Sequence, residues 1–163
     1  MDTFLRLFGA AIFLMSASSV AFAAGDDAQA ASVKRGAYIA TASDCSACHT
    51  APSGKPFAGG LPIVSPVGTI FTTNITPSTT AGIGQYTEAQ FARAVRAGVR
   101  ADGANLYPAM PYTSYKVLTD ADIHDLYTYF QHGVAPVDTA PTPTALPFPM
   151  NIRLSMIDRK SVV

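Results

Sequence analysis

The sequence contains little cysteine, little charge and no long apolar run. Only two cysteines occur among its 163 residues, which leaves none for a structural disulfide if both serve one site. Charged residues make up 13% of the chain, and 11 Lys and Arg balance 11 Asp and Glu. Because nucleic-acid-binding domains carry a basic stripe, this balance argues against a nucleic-acid partner. The length has room for one domain with tails.

The most apolar segment lies at the N terminus and is too short for a comfortable membrane span. It runs from Leu7 to Val20, follows the positive charge of Arg6, and ends at Ala21-Phe22-Ala23, an A-x-A cleavage site. This order is typical of a secretory signal peptide, so we expect residues 1–23 to be removed after export. An uncleaved membrane anchor is the alternative.

The two cysteines belong to the segment Cys45-Ser46-Ala47-Cys48-His49. This C-x-x-C-H pattern is typical of c-type haem attachment. Each thiol can add across a haem vinyl group, and the histidine that follows can ligate the iron as a neutral imidazole. We therefore predict one covalent haem c, attached through Cys45 and Cys48, with His49 as an axial ligand. Export fits this prediction, because c-type haem is attached outside the cytoplasm.

Two other interpretations of the motif remain open at this point. A thioredoxin-like redox pair would need a strand before the motif and a βαβ unit around it. A zinc site would need a second pair of ligands, and His124 and His132 are not spaced like one.

Apolar periodicity predicts three helices outside the motif. The first covers residues 32–41, where Gly36 is expected to pack closely against another helix. Capping boxes open the other two at Thr87 and Thr119.

Proline and glycine predict a loop over residues 50–70, and β-branched and aromatic residues predict a short strand or hairpin over 67–75. Thr72, Thr73 and Asn74 are candidate donors to the haem propionates, or else ordinary turn polarity.

A low-spin cytochrome needs a second axial ligand to the iron. The candidates are Met110, Met150, Met156, His124 and His132. Met110 lies in a loop stiffened by Pro108 and Pro111, so its thioether is presented from a rigid backbone. The alternative is a methionine that fills a gap in the core. The two histidines are predicted on the surface, and the other methionines lie beyond a proline run and are not expected to fold back.

Several motifs together resemble the first haem domain of the cytochrome subunit of bacterial membrane-bound alcohol, aldehyde and gluconate dehydrogenases. Similar subunits serve molybdenum hydroxylases. The resemblance covers about residues 33–157 and rests on Gly36-Ala37-Tyr38, Asp44-Cys45-Ser46-Ala47-Cys48-His49-Thr50, Gly68-Thr69-Ile70, Asn74-Ile75-Thr76-Pro77, Gly82-Ile83-Gly84, Tyr107-Pro108-Ala109-Met110-Pro111-Tyr112, Leu118-Thr119-Asp120 and Leu146-Pro147-Phe148-Pro149-Met150-Asn151-Ile152-Arg153.

The resemblance implies a mainly α cytochrome c-like domain, with three to four short helices around one covalent haem and a short hairpin or loop segment. It implies that Cys45 and Cys48 bind haem while His49 and Met110 ligate the iron. It further implies a periplasmic protein at the outer face of the inner membrane, associated with the membrane through a complex. Electrons would pass from a dehydrogenase catalytic subunit toward ubiquinone or the respiratory chain, and the chain would have no substrate chemistry of its own.

Three rival functions are weighed against this one. A standalone soluble monohaem carrier would need no partner subunit. A haem enzyme or sensor would keep the sixth coordination position open, with Met110 merely packed. A thiol–disulfide oxidoreductase would keep both thiols free.

The sequence departs from the family in carrying one C-x-x-C-H motif instead of three in one chain. We therefore expect a truncated chain with four parts. These are a signal peptide (1–23), a cytochrome c domain (24–134), a proline-rich linker toward a missing second domain (135–157) and a non-native tail (158–163). The tail does not resemble the family and matches the translation of a common sequencing adapter.

Overall fold

The computed structural model describes residues 25–66 and 68–152. The predicted signal peptide, the predicted non-native tail and Met156 lie outside these residues. Within the described part, no helix combines the length and the apolar character needed to cross a membrane.

Helices form most of the regular structure, which confirms the predicted mainly α class. They are α1 (25–42), α2 (Cys45–His49), α3 (Glu88–Ala97), a 3-10 helix (Ser114–Val117), α4 (Asp120–Thr128) and a π-helical turn (Tyr129–Gly133). The first helix is longer than the predicted 32–41, because the alanine-rich residues before Ser32 are helical as well.

The two predicted capping boxes are both present. The Thr87 hydroxyl accepts from the Gln90 N–H, and the Gln90 side chain accepts from the Thr87 N–H. Thr119 and Asp122 make the same reciprocal pair at the start of α4. The third helix ends at Gly98, whose φ of 63° is the left-handed conformation that glycine adopts without a steric penalty.

The core lies between the helices and is formed by seven buried side chains. They are Ala40, Ile83, Phe91, Val95, Ile123, Leu126 and Phe130. Gly36 lies where α1 meets α4, and a Cβ there would overlap the Asp125 carbonyl, so the predicted close packing is confirmed. Tyr38, two positions after Gly36 in the same helix, is 75% exposed.

A two-stranded antiparallel hairpin stands apart from the helices. It pairs β1 (Pro62–Ser65) with β2 (Gly68–Phe71), with Pro62 opposite Phe71. The second strand lies within the predicted 67–75 segment. The first lies in the stretch predicted as loop, and that prediction was wrong there. Proline is tolerated at the first position of a strand, so Pro62 does not exclude the pairing.

The proline-rich segment returns to the hairpin, which the sequence does not predict. We call residues 135–147 the strap. The Thr144 hydroxyl accepts from the Phe71 N–H at 2.8 Å, and Leu146 is 7% exposed beside Gly68. Met150 follows in a turn beyond these contacts. The linker predicted over 135–157 therefore packs on the domain through its described first part, and its role as a link to a second domain stays a prediction.

Candidate haem-binding site

The haem motif forms one short helix of its own. Asp44 has a left-handed backbone (φ 53°), which separates α1 from α2 and redirects the chain. Cys45 and Cys48 are both free and half-buried in α2. Residues three apart in a helix project from the same face. The two thiols therefore lie on one side of α2, as attachment to a single ligand requires.

His49 is held in the tautomer that a metal needs. Its Nδ1 lies 2.7 Å from the Thr73 carbonyl oxygen. Because a carbonyl only accepts, Nδ1 carries the proton and Nε2 keeps its lone pair. Burial lowers the pKa of His49, and the bond to Thr73 opposes that shift. The ring is therefore neutral at neutral pH, the form that ligates iron.

The surroundings of the cysteines do not support a thiol–disulfide enzyme. Burial raises the pKa of the Cys45 thiol to about 11, whereas redox-active cysteines have a lowered pKa. The element before the motif is a helix, and the sheet seen in the described residues is an antiparallel hairpin without a βαβ unit. A zinc site would require several His, Cys, Asp or Glu side chains close together. Residues 25–66 and 68–152 contain no group of three or more of them placed to hold a metal.

Met110 lies in a half-buried turn that is anchored at its C-terminal side. The Tyr112 N–H donates to the Met110 carbonyl at 2.9 Å, and the Tyr112 ring is buried against Gly98. Three residues later, the Tyr115 hydroxyl donates to the Ser43 carbonyl at 2.9 Å, just before the haem motif. The segment that follows Met110 is thus hydrogen-bonded to the chain two positions before the haem motif. Ligation of iron by Met110 stays a prediction.

The other candidate axial ligands lie elsewhere. His124 is exposed on α4, with Nδ1 3.2 Å from a Glu88 carboxylate oxygen, and His132 is exposed in the π-helical turn. Their predicted surface positions are confirmed. Met150 is half-buried in the turn after the strap.

Asn74 was a candidate propionate donor, and the structure contradicts that assignment. Its side chain is 3% exposed, its Nδ2 donates to the Val137 carbonyl at 2.7 Å, and its Oδ1 accepts from Thr76. Thr72 is buried too, and its hydroxyl accepts from the Leu61 N–H at 3.0 Å. Asn74 thus binds the strap and its own turn, while Thr72 binds the facing end of the hairpin. This is the ordinary polar role that the sequence left open.

Thr73 has a role that the sequence does not reveal. Its backbone carbonyl, and not its side chain, contacts the haem-motif histidine. Every residue carries such a carbonyl, so no residue type could signal this contact. The donor set as a whole fits a covalent haem: two thiols share one face, and the next residue offers a neutral, oriented imidazole.

Comparison with known proteins agrees with this site. A family model described as cytochrome c matches residues 33–133. The gluconate 2-dehydrogenase cytochrome c subunit of Pantoea cypripedii is 54% identical over 135 residues, which cover 83% of this chain and 31% of that protein. The fructose dehydrogenase cytochrome subunit of Gluconobacter japonicus is 56% identical over 126 residues, covering 77% of this chain and 26% of that protein.

The alcohol dehydrogenase (quinone) cytochrome c subunit of Gluconobacter oxydans is 51% identical over 144 residues, covering 88% of this chain and 30% of that protein. The chain thus spans less than a third of the length of these relatives. Both the family match and the relatives point to an electron-transfer role through covalently bound haem c. The chain belongs to the cytochrome c family.

Proposed function

We propose that this chain is a periplasmic c-type cytochrome domain that carries single electrons from a partner dehydrogenase subunit toward ubiquinone or the respiratory chain. One observation carries the proposal. Cys45 and Cys48 lie on one face of α2, and the Thr73 carbonyl accepts from His49 Nδ1, so that Nε2 carries no proton and can bind a metal. The relatives are named as cytochrome subunits of gluconate, fructose and alcohol dehydrogenases, which supports a dehydrogenase as the electron donor.

A bound haem would supply a one-electron Fe(III)/Fe(II) couple, and the residues of the chain would hold the haem and set its reduction potential. Cys45 and Cys48 anchor it covalently. His49 ligates the iron in an orientation set by Thr73. Met110 is the proposed second axial ligand, and a thioether favours ferrous iron and so raises the reduction potential relative to two histidines.

The remaining parts of the proposal follow from the sequence. One C-x-x-C-H motif accommodates one haem. Residues 1–23 would direct export, and association with the inner membrane would come through the dehydrogenase complex. Substrate oxidation would take place on the partner, since the relatives are named as the cytochrome subunits of dehydrogenases.

The direct test is maturation of the protein in a periplasm that attaches c-type haem. We expect one haem per chain that stays bound after denaturation and acid–acetone extraction. The Cys45→Ala/Cys48→Ala variant should lose covalent haem completely, while the matched control Ser46→Ala, between the two cysteines, should keep it. A colourless wild-type protein with two titratable thiols would overturn the proposal and favour a thiol–disulfide oxidoreductase.

A second experiment tests the partner. The ferric protein is mixed with a dehydrogenase catalytic subunit of the gluconate, alcohol or fructose type and its substrate, and haem reduction is followed by stopped-flow absorbance. We expect reduction together with co-purification of the two proteins. Haem-loaded protein that is reduced without forming a complex would instead indicate a standalone carrier.

A further inference from the structure

The strap contacts the loop that carries Thr73 on both sides of that residue. The Thr144 hydroxyl accepts from the Phe71 N–H at 2.8 Å, two positions before Thr73. The Asn74 side-chain amide, one position after it, donates to the Val137 carbonyl at 2.7 Å. The residue whose carbonyl holds the haem-motif imidazole is therefore bracketed by strap contacts.

Asn74 is the centre of the second contact. Its Oδ1 accepts from the N–H and the hydroxyl of Thr76 at 2.9 and 2.7 Å. The Thr76 hydroxyl in turn accepts from the Val137 N–H at 3.1 Å, and Thr76 is 0% exposed. The three residues thus form a closed ring of buried hydrogen bonds. A buried network in which every group is satisfied holds its members in one arrangement.

A glycine turn closes the opposite side of Thr73. Gly59 has a φ of +72°, and a Cβ there would overlap the Thr73 carbonyl group. The Gly59 N–H donates to the His49 carbonyl at 2.8 Å, and the Gly60 N–H donates to the Thr72 carbonyl at 2.9 Å. Thr73 is therefore held between this turn on one side and the network at Asn74 on the other.

We propose that the strap, acting through Asn74, positions the Thr73 carbonyl and thereby sets the reduction potential of haem bound at His49. The inference rests on the proposed haem attachment. Hydrogen-bond partners of a ligating histidine fix its orientation and raise its basicity. A more basic imidazole stabilises ferric iron, so a loosened Thr73 carbonyl shifts the equilibrium toward ferrous iron. Asn74 is thus a positioning residue, and the strap contributes to the electron-transfer site through the loop that carries Thr73.

The experiment compares three variants of the haem-loaded protein. Asn74→Ala removes the strap bond at one side of Thr73, and Thr144→Val removes the bond at the other side with nearly the same side-chain volume. Ser32→Ala is the matched control, since Ser32 is 4% exposed and loses a buried bond to Asp125 in the helical core instead. Reduction potentials are measured by spectroelectrochemistry, and solvent exchange of the His49 Nδ1–H is measured by NMR.

We expect Asn74→Ala to shift the ferric–ferrous equilibrium toward ferrous iron by about threefold to tenfold, where tenfold is 59 mV for one electron. The His49 Nδ1–H should exchange with solvent faster than in the wild type, because the carbonyl that it contacts is held less firmly. Thr144→Val should move both quantities in the same direction by less. Ser32→Ala should lower the melting temperature and change neither.

Three results would overturn the inference. If Asn74→Ala lowers the melting temperature but leaves the potential and the exchange rate at the values of the control, the strap is only structural. If Asn74→Ala does not fold, unchanged values in Thr144→Val lead to the same conclusion. A wild-type protein without covalent haem would overturn the proposed function together with this inference, whereas a haem-loaded protein with unchanged variants overturns this inference alone.

Discussion

At the scale of single residues, the state of each chemically important side chain depends on one or two neighbours. The His49 imidazole is neutral and oriented because it is buried and meets a carbonyl. The Asp125 carboxylate is charged although it is buried, because it meets Arg35 and Ser32.

Replacement of Met110 tests the second axial ligand. We expect Met110→Ala to open the sixth position, giving a high-spin spectrum that shifts with carbon monoxide. The ferric–ferrous equilibrium should move toward ferric iron by at least about tenfold, or 59 mV, because the thioether is lost. Absorption spectroscopy of the matured protein checks this. Met150→Ala is the control and should stay low-spin, and a wild-type protein that already binds carbon monoxide would favour a haem sensor or enzyme.

Replacement of Asp125 tests the buried ion pair. The Arg35 guanidinium, with Nε 2.6 Å from the carboxylate, and then the Ser32 hydroxyl hold the pKa of Asp125 below its usual value. A carboxyl with a lowered folded-state pKa contributes stability above its unfolded pKa of about 3.9 and loses it as the pH falls through the folded value. Because Arg35 is 59% exposed, solvent screening limits the contribution.

We therefore expect Asp125→Asn to lower the free energy of unfolding by about 1–2 kcal/mol at pH 7. The difference from wild type should shrink as the pH falls below ~4, where the carboxyl is protonated first in the unfolded chain and only at lower pH in the folded protein. Denaturant unfolding at pH 7 and pH 3 measures both values. Asp102→Asn is the control, since the Asp102 side chain is 55% exposed beside Arg100 and should show little change at either pH. A pH-independent loss at Asp125 would contradict the argument.

At the scale of elements, the helices are placed by close backbone approach as well as by apolar packing. The first helix crosses α4 at Gly36, where any side chain would overlap the Asp125 carbonyl. The same crossing brings Ser32 and Arg35 to the Asp125 side chain. One glycine thus allows both the helix contact and the ion pair to form.

Replacement of Gly36 by alanine separates packing from helix propensity. Alanine is favoured over glycine inside a helix by about 1 kcal/mol, so propensity alone predicts stabilisation. We expect Gly36→Ala instead to destabilise the protein by about 2–4 kcal/mol, because the helices must move apart. Thermal unfolding followed by circular dichroism measures this. Gly25→Ala, a helical site with nothing within 4 Å of the added Cβ, is the control, and equal stabilisation of both variants would refute the packing argument.

At the scale of the whole molecule, the core formed by residues 25–66 and 68–152 is small. Seven buried side chains form the helical cluster, while Ile70 and Tyr112 are buried outside it, on the hairpin and on the loop of Met110. Since hydrophobic stabilisation grows with the apolar area that is buried, so small a cluster stabilises the fold only modestly by itself. A buried macrocycle would supply apolar contacts that the side chains do not.

Removal of the haem tests this dependence. We expect the Cys45→Ala/Cys48→Ala variant to be several kcal/mol less stable than the matured protein and to unfold over a broad temperature range. The attached haem would make apolar contacts and iron–ligand bonds in the folded state that the haem-free chain lacks. Circular dichroism melts of both proteins check the prediction. The Ser46→Ala variant again serves as control. A sharp transition in the haem-free variant at the temperature of the matured protein would show that the core suffices by itself.

The features that the sequence determines by itself are local. Each depends on residues within a few positions of one another, so its pattern can be recognised in the sequence. They are the C-x-x-C-H helix, the two capping boxes and the apolar faces of α3 and α4. The close approach of another helix at Gly36 could also be predicted, because glycine is unfavourable inside a helix unless packing requires it. Met110 is indicated both by its flanking prolines and by the family resemblance, and its ligation of iron remains a prediction.

Only the tertiary structure decided which distant groups meet. The His49 imidazole is hydrogen-bonded to the Thr73 carbonyl, 24 residues further along the chain. The Phe71 N–H donates to the hydroxyl of Thr144 in the strap, 73 residues further along. Backbone carbonyls and amides are the same at every residue, so no side-chain pattern marks the ones that take part. The same reason explains why Asn74 was predicted as a propionate donor. Its actual acceptor is the backbone carbonyl of Val137, which reaches Asn74 only when the strap packs on the loop.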